Sequence, residues 1–385
     1  MKVMQKQKRI FLSSPHMSGN EQRYIQEAFD LNWIAPLGNN VDGLEKDIAE
    51  YNNIRGAAVV VSGTAAIHLA LRLLNIGPED TVFCSSLTFV ASANPIFYQG
   101  ATPVLIDSEM DTWNMSPVAL ERAFGEAREN GKLPKAVILV NLYGQAAKMD
   151  ELMSICDSYG VPIIEDAAES LGSTYKGKKS GTFGKYGVYS FNGNKIITTS
   201  GGGALVSDDE EALKKATFLA TQARDKAVHY QHSEVGYNYR MSNIVAGIGR
   251  GQMEVLDERV AQKRAVFERY YEAFGNLDGI EFQPELEETM SNRWLTVLTI
   301  DPELTGVSRH EIIKRLNEDN IEARPVWKPM HLQPLFEDVK YYPHEEGNSV
   351  SDYLFEYGLC LPSGSNMSVE EQERVIEILK GLIKI

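Results

Sequence analysis

From residue 57 onward, short runs dense in Val, Ile, Leu and Ala recur at 57–61, 81–85, 102–107, 135–140, 162–166 and 186–191. Most are continuously apolar instead of alternating, as expected of strands covered by helices on both faces. The intervals are often long enough for a crossover helix, and between the first two runs Ile67, Ala70, Leu71 and Leu74 fall at helical spacing. The pattern predicts an α/β fold built on a doubly wound, mainly parallel sheet. Its first strand leads straight into a helix through Ser62-Gly63-Thr64.

Ahead of the sheet, Ser18 and Glu21 have capping-box spacing before a helix carrying Tyr24, Ile25 and Phe29. The following Asn32-Trp33-Ile34-Ala35-Pro36-Leu37-Gly38 reads as a loop that packs on something, either its own core or a ligand. After Gly203 the pattern turns mostly helical, with a long amphipathic tract over 253–274. A second unit then contributes a strand at 294–300, a capped helix from Ser308 with Glu311, an extended 321–326, and a last helix from Ser368 with Glu371 to 383. This predicts a large domain over 1–250, which includes the N-terminal loop, and a smaller α+β domain over 251–385.

Composition agrees with that size: 385 residues fit two domains, and 43% apolar with 24% charged residues can bury a core. The 53 acidic and 38 basic side chains leave a net charge of −15, which repels nucleic acid and anionic membranes unless bases gather locally. No apolar run approaches the roughly 18–20 residues of a membrane span. The N-terminus starts basic, with Lys2, Lys6, Lys8 and Arg9, but the apolar 10–12 is too short for a signal peptide. Cys84, Cys156 and Cys360 are odd in number and far apart, which suggests neither a disulfide framework nor a metal site. His229 and His232 lack companions at ligand spacing and read as a polar loop. A reducing cytoplasm fits best, and no metal site is expected.

The informative stretch is Ser190-Phe191-Asn192-Gly193-Asn194-Lys195, where a buried-looking strand ends and a lysine follows. Lysines at strand ends are usually solvated, but a partly buried amine becomes nucleophilic enough for Schiff-base chemistry. Upstream, Ile163-Ile164-Glu165-Asp166 places an acid at the carboxyl end of a strand, where ligands bind in open α/β sheets. Pyridoxal phosphate needs such a carboxylate against its ring nitrogen. Asp166 suits that role, with a helix N-cap as its plainer alternative. Ser62-Gly63-Thr64-Ala65-Ala66 would supply backbone N–H groups and a hydroxyl to a phosphate, although Gly and Thr also open helices for structural reasons. Neither GxGxxG with a following acid nor GxxxxGK[ST] is present, so dinucleotide and P-loop enzymes lack their fingerprints.

In order along the chain, Ser62-Gly63-Thr64-Ala65-Ala66, Thr88-Phe89, Leu142-Tyr143-Gly144, Glu165-Asp166-Ala167-Ala168-Glu169, Ser190 to Lys195 and Gly236-Tyr237-Asn238-Tyr239-Arg240-Met241 resemble the nucleotide-sugar aminotransferases of the DegT/DnrJ family. That family is a branch of the fold-type I pyridoxal-phosphate enzymes. The resemblance implies that Lys195 forms the Schiff base and shuttles the proton, Asp166 pairs with the pyridine nitrogen, Glu169 lies near the ring hydroxyl and Phe89 stacks on the ring. It also implies that Gly63, Thr64, the Ala65 amide and Ser190 hold the phosphate, and that Asn238 reaches it from the second subunit of a homodimer. Read alone, Phe89 fits core packing and Asn238 a turn.

Leu12 to Gly38, together with Arg324-Pro325-Val326-Trp327-Lys328-Pro329-Met330-His331, looks like the transaminases of bacillosamine biosynthesis. Those enzymes aminate the 4-keto group of a UDP-linked 2-acetamido-2,6-dideoxy sugar with nitrogen from L-glutamate. By that analogy Trp33, Ile34, Arg240, Trp327, Lys328 and His331 are candidates for the sugar-nucleotide cleft, cations and aromatics gathered on an acidic protein. Arg240 would also suit the glutamate carboxylate. Read alone, Lys328 is a surface charge and His331 a hydrogen-bonded loop residue. The rival readings are a dTDP- or GDP-sugar aminotransferase, a sugar dehydratase, which would carry His in place of Lys195, a nicotinamide oxidoreductase, and a non-catalytic nucleotide-sugar sensor.

Overall fold

The computed structural model describes residues 8–383; Lys2 and Lys6 lie outside them. An eight-stranded sheet consists of β1 Gly56–Val60, β2 Thr81–Ser85, β3 Thr102–Ile106, β4 Ala136–Val140, β5 Ile163–Asp166, β6 Tyr186–Ser190, β7 Gly203–Ser207 and β8 Tyr341–Tyr342. Their spatial order is β1-β7-β6-β5-β4-β2-β3-β8. Every observed pairing is parallel except those of β7, which runs antiparallel to both β1 and β6. The six predicted strands lie where expected, with their ends shifted by one residue at most. β7 is a correction to the helical reading after Gly203. Its five residues, all buried, are too few for periodicity to separate a strand from a helix.

Helices cover both faces. On one, Ile67 and Leu71 of Gly63–Leu73 and Leu213 and Leu219 of Glu210–Ala220 pack on Val82, Cys84 and Ile138. On the other, Leu120 and Phe124 of Pro117–Glu129 and Leu152 and Cys156 of Met149–Tyr159 pack on Phe83, Val137 and Leu139. Strand residues therefore alternate between two cores although nearly all are apolar, which is why the runs looked continuous.

A second, antiparallel sheet pairs Ile280–Phe282, Thr296–Ile300, Gly358–Leu361 and Arg324–Pro325 in that order. It shares a core with the helices Leu256–Phe274, Arg309–Glu318 and Val369–Leu382. The last two open with complete capping boxes at Ser308/Glu311 and Ser368/Glu371. The predicted box at Ser18 is only half made. Glu21 accepts from the Ser18 and Gly19 amides, but Ser18 Oγ takes the Asn20 amide, so the helix starts at Glu21. The tract over 253–274 is broken, with one helix ending at Met253 and the next starting at Leu256. Ile10 bridges to Ile321, tying the start of the described chain to the second sheet's core.

Candidate active site

The carboxyl ends of the parallel strands, with the loops that follow, surround a cavity of about 420 Å³. β5 delivers its two acids to opposite faces, as strand geometry demands. Glu165 turns away and accepts from Asn141 Nδ2 at 2.8 Å and from the amides of Gly181 and Phe183 at 2.6 and 2.9 Å. Asp166 faces the cavity, where Oδ2 accepts from Ser92 Oγ at 2.6 Å and Oδ1 from the Ala168 amide at 3.1 Å. Burial pushes its carboxyl above the usual range, while the Ser92 and Ala168 bonds and the Lys195 charge pull the other way.

Lys195 follows β6 on a turn closed by its own amide and the Asn192 carbonyl at 3.0 Å. Its Nζ lies 3.5 Å from Glu169 Oε1, an ion pair longer than a good hydrogen bond, and 4.1 Å from the centre of the Trp294 ring. Glu169 Oε2 accepts from the Tyr143 amide at 2.7 Å; burial raises its carboxyl too, against the pull of Lys195. Two carboxylates thus face one ammonium in a closed space. When both are ionised, one negative charge remains uncompensated, and a ligand carrying a protonated ring nitrogen would balance it.

Above them, β1 ends at Val60 and leads to Ser62, whose Oγ caps the next helix by accepting from the Ala65 amide at 3.1 Å. Gly63 and Thr64 form the first turn and line the cavity beside Ser190. Their own amides find no acceptor among the described residues, as expected at a helix start, and aim a partial positive charge outward. A Cβ on Gly63 would lie 3.1 Å from Ser190 Cβ, and one on Gly203 would lie 2.5 Å from the Gly63 nitrogen. A side chain at either position would crowd this cup, so glycine keeps it open, with a size and polarity that suit an anion. Phe89, 56% exposed, stands at the cavity with its ring centre 6.0 Å from that of Trp327. Asn194 Oδ1 and Trp327 Nε1 are buried there without a partner. A lysine amine, two buried carboxylates, an aromatic wall and an anion cup fit pyridoxal phosphate.

The structure gathers Lys195, Asp166, Glu169, Phe89, Gly63, Thr64, Ser190 and Trp327 around this cavity. The others stand elsewhere. Ala65 is buried beneath the first helical turn, its amide taken by Ser62. Asn238 is exposed and accepts from Gln222 Nε2 at 2.9 Å. Trp33 and Ile34 are 47% and 54% exposed on their loop. Arg240 stands outside the lining of that cavity, its guanidinium buried against Glu45 and the Val59 carbonyl, because an inward cation needs a partner. Lys328 is exposed, and His331 is fixed between Ser86 Oγ and Asp352 Oδ1, each at 2.7 Å.

Sequence reasoning missed Ser92 and Trp294. Ser92 lies four residues after Thr88, whose Oγ1 is 2.7 Å from the Ser92 hydroxyl, a helical interval that was visible but not tied to Asp166. Trp294 was assigned to a strand, which in fact starts at Thr296.

A family model described as "DegT/DnrJ/EryC1/StrS aminotransferase family" matches residues 15–380. The chain is 65% identical over 375 residues, 97% of its length and 96% of the relative's, to "Putative pyridoxal phosphate-dependent aminotransferase EpsN" of Bacillus subtilis (strain 168). It is 36% identical to the GDP-perosamine synthase of Caulobacter vibrioides, over 97% of this chain and 98% of that one. Among solved structures, a DegT DnrJ EryC1 StrS aminotransferase from Brucella abortus superposes with a TM-score of 0.86 at 27% identity, covering 94% and 95% of the two chains.

Proposed function

The chain belongs to the DegT/DnrJ/EryC1/StrS aminotransferase family, and from that premise we propose that it carries the amino group of L-glutamate to the 4-keto carbon of a 6-deoxy nucleotide sugar. As a pyridoxal-phosphate-dependent aminotransferase it needs one site for both half-reactions. The observation that carries the reading is the Lys195 amine set beside Glu169 and Asp166 under the open first turn of Gly63–Leu73.

Bound there, pyridoxal phosphate supplies an aldehyde carbon for amino exchange and an aromatic electron sink. The protein's own groups do the rest. Lys195 would bind the aldehyde group, and its Nζ, when free, would take the proton from the carbon bearing the amino group and deliver it to the former aldehyde carbon, in the reverse order in the second half-reaction. Asp166 would hold a proton on the ring nitrogen, helped by Ser92, whose hydrogen bond favours the ionised carboxylate. Glu169 would accept from the ring hydroxyl or from Lys195, Phe89 would cover the ring, and Gly63, Thr64 and Ser190 would receive the phosphate. The Ala65 amide is engaged by Ser62 and adds only to the field of the helix end.

The acceptor we propose is UDP-2-acetamido-2,6-dideoxy-4-ketohexose, supported by the likeness of 12–38 and 324–331 to the bacillosamine-pathway transaminases. Of the residues assigned to it, Trp327 stands at the cavity of its own chain. Trp33 and Ile34, and Asn238 on the cofactor side, would act across a homodimer; the exposed apolar Phe29, Leu31 and Leu37 beside them support a covered surface. The GDP-perosamine synthase relatives favour a GDP-linked sugar as the second reading. Among the described residues no helix is long and apolar enough to cross a membrane, and all three cysteines are buried free thiols, in keeping with the cytoplasm we propose.

The test is to load the amino group from L-glutamate, remove the donor, and offer UDP-, dTDP- and GDP-linked 4-keto-6-deoxy sugars, identifying the aminated product by mass. Amination of the UDP-acetamido sugar alone supports the first reading and of the GDP sugar alone the second. A panel left unaminated defeats the sugar claim.

A further inference from the structure

Lys263, on the helix Leu256–Phe274, is 1% exposed and has no ion-pair partner among the described residues. Its Nζ donates to Ser13 Oγ at 3.1 Å, to the Trp294 carbonyl at 2.9 Å and to the Ser363 carbonyl at 2.8 Å. Three acceptors match the three N–H groups of an ammonium; a neutral amine would leave one of them facing a lone pair. Burial pulls the group down to about 7, while the three acceptors favour its charged form.

The acceptors come from three distant stretches: the N-terminal segment, the approach to the strand Thr296–Ile300, and the turn after Gly358–Leu361. Two of them lead on to the loop of the reacting amine. Ser13 Oγ donates to the Asn194 carbonyl at 2.8 Å, and Trp294 Nε1 donates to the same oxygen at 2.7 Å. That oxygen belongs to the peptide joining Asn194 to Lys195, and the Trp294 ring lies 4.1 Å from Lys195 Nζ. The carbonyl next to Lys195 is therefore held by two donors, and both donor residues are held by Lys263.

We propose that Lys263 is a positioning residue for amino transfer, fixing through Ser13 and Trp294 the peptide and the aromatic face that set where the Lys195 amine rests. The proposal rests on Lys195 being the reacting amine. A structural hub alone would need nothing from Asn194. Here both branches converge on one oxygen adjoining the nucleophile, so a displaced hub moves Lys195 even where the fold survives.

The experiment compares wild type with Lys263→Met, Ser13→Ala and Trp294→Phe. On each holoenzyme the visible absorption of the bound cofactor and the separate kcat and KM for L-glutamate are measured. On each apoprotein the rate at which acetic anhydride labels Lys195 is read by peptide mass mapping. Lys263→Met is expected to shift the absorption band, lower kcat about tenfold or more with KM little altered, and change the Lys195 labelling rate severalfold. Ser13→Ala and Trp294→Phe, which each remove one donor to Asn194, are expected to move the same readouts in the same direction by less. Should Lys263→Met fail to fold, those two variants decide. An unaltered spectrum, kcat and labelling rate in the folded variants would overturn the proposal. Turnover retained by Lys195→Ala would instead overturn the reading beneath it.

Discussion

Replacing Asp166 by Asn should stabilise the cofactor-free protein at neutral pH while crippling its hold on the cofactor. The side chain is 5% exposed, and burial lifts its carboxyl above the usual range. Because the folded chain then holds the proton more tightly than the unfolded one, wild-type stability falls as pH rises from about 4 through the raised pKa of Asp166, and stays lowered above it. An asparagine keeps both hydrogen bonds: its oxygen accepts from the Ala168 amide and its NH₂ donates to Ser92, whose hydroxyl turns to Thr88. Its charge is gone, and the several kcal/mol that burying an ion costs outweigh its attraction to a lysine that keeps Glu169 as a partner, so the net gain is about 1–3 kcal/mol. With unfolding entropy growing with chain length, this is a rise in Tm of ~1–4 °C. The variant also loses a charged partner for the ring nitrogen, at a cost of about 3 kcal/mol or roughly a hundredfold in cofactor affinity. Thermal melts of both apoproteins across pH 4–9, followed by cofactor titration through visible absorbance, read the two effects. An asparagine variant less stable than wild type at every pH, or one binding cofactor with undiminished affinity, would refute the reasoning.

Lys195→Ala should abolish amino transfer while the far-ultraviolet dichroism stays that of wild type, since only the cavity loses the side chain; measurable turnover with L-glutamate would count against it. Gly203→Ala should weaken cofactor binding and lower the melting temperature, because its methyl would sit 2.5 Å from the Gly63 nitrogen and force β1 and β7 apart at the anion cup; a cofactor titration and a melt check both. Ser308→Ala should cost about 1 kcal/mol in denaturant unfolding by removing one half of a capping box, with kcat unaffected.

The architecture was legible wherever chemistry is local. Six strands announced themselves because burial on both faces makes them apolar without interruption, and Ser308 and Ser368 because a capping box spans four residues. The antiparallel Gly203–Ser207 escaped because five apolar residues carry no period of their own. The cavity shows the same division. Asp166 ends β5 and Lys195 follows β6, where the type of residue and its place after an apolar run already point to a ligand edge, whereas Glu169 was legible only through the family resemblance. The fate of Arg240 depended on Glu45, nearly two hundred residues earlier, and that of His331 on Ser86 and Asp352. Neither pairing leaves a trace in local sequence. The roles of Ser92, Trp294 and Lys263 were hidden for the same reason, each arising from a hydrogen bond or ring contact that only folding creates.

The central claim is a covalent bond between Lys195 and pyridoxal phosphate. Reducing the purified holoenzyme with borohydride, digesting it and mapping the peptides by mass spectrometry tests that bond directly. The account predicts one modified peptide, containing Lys195 with the phosphopyridoxyl group on its Nζ. The same group on a different lysine, or its absence from a protein that retains amino-transfer activity, would contradict it.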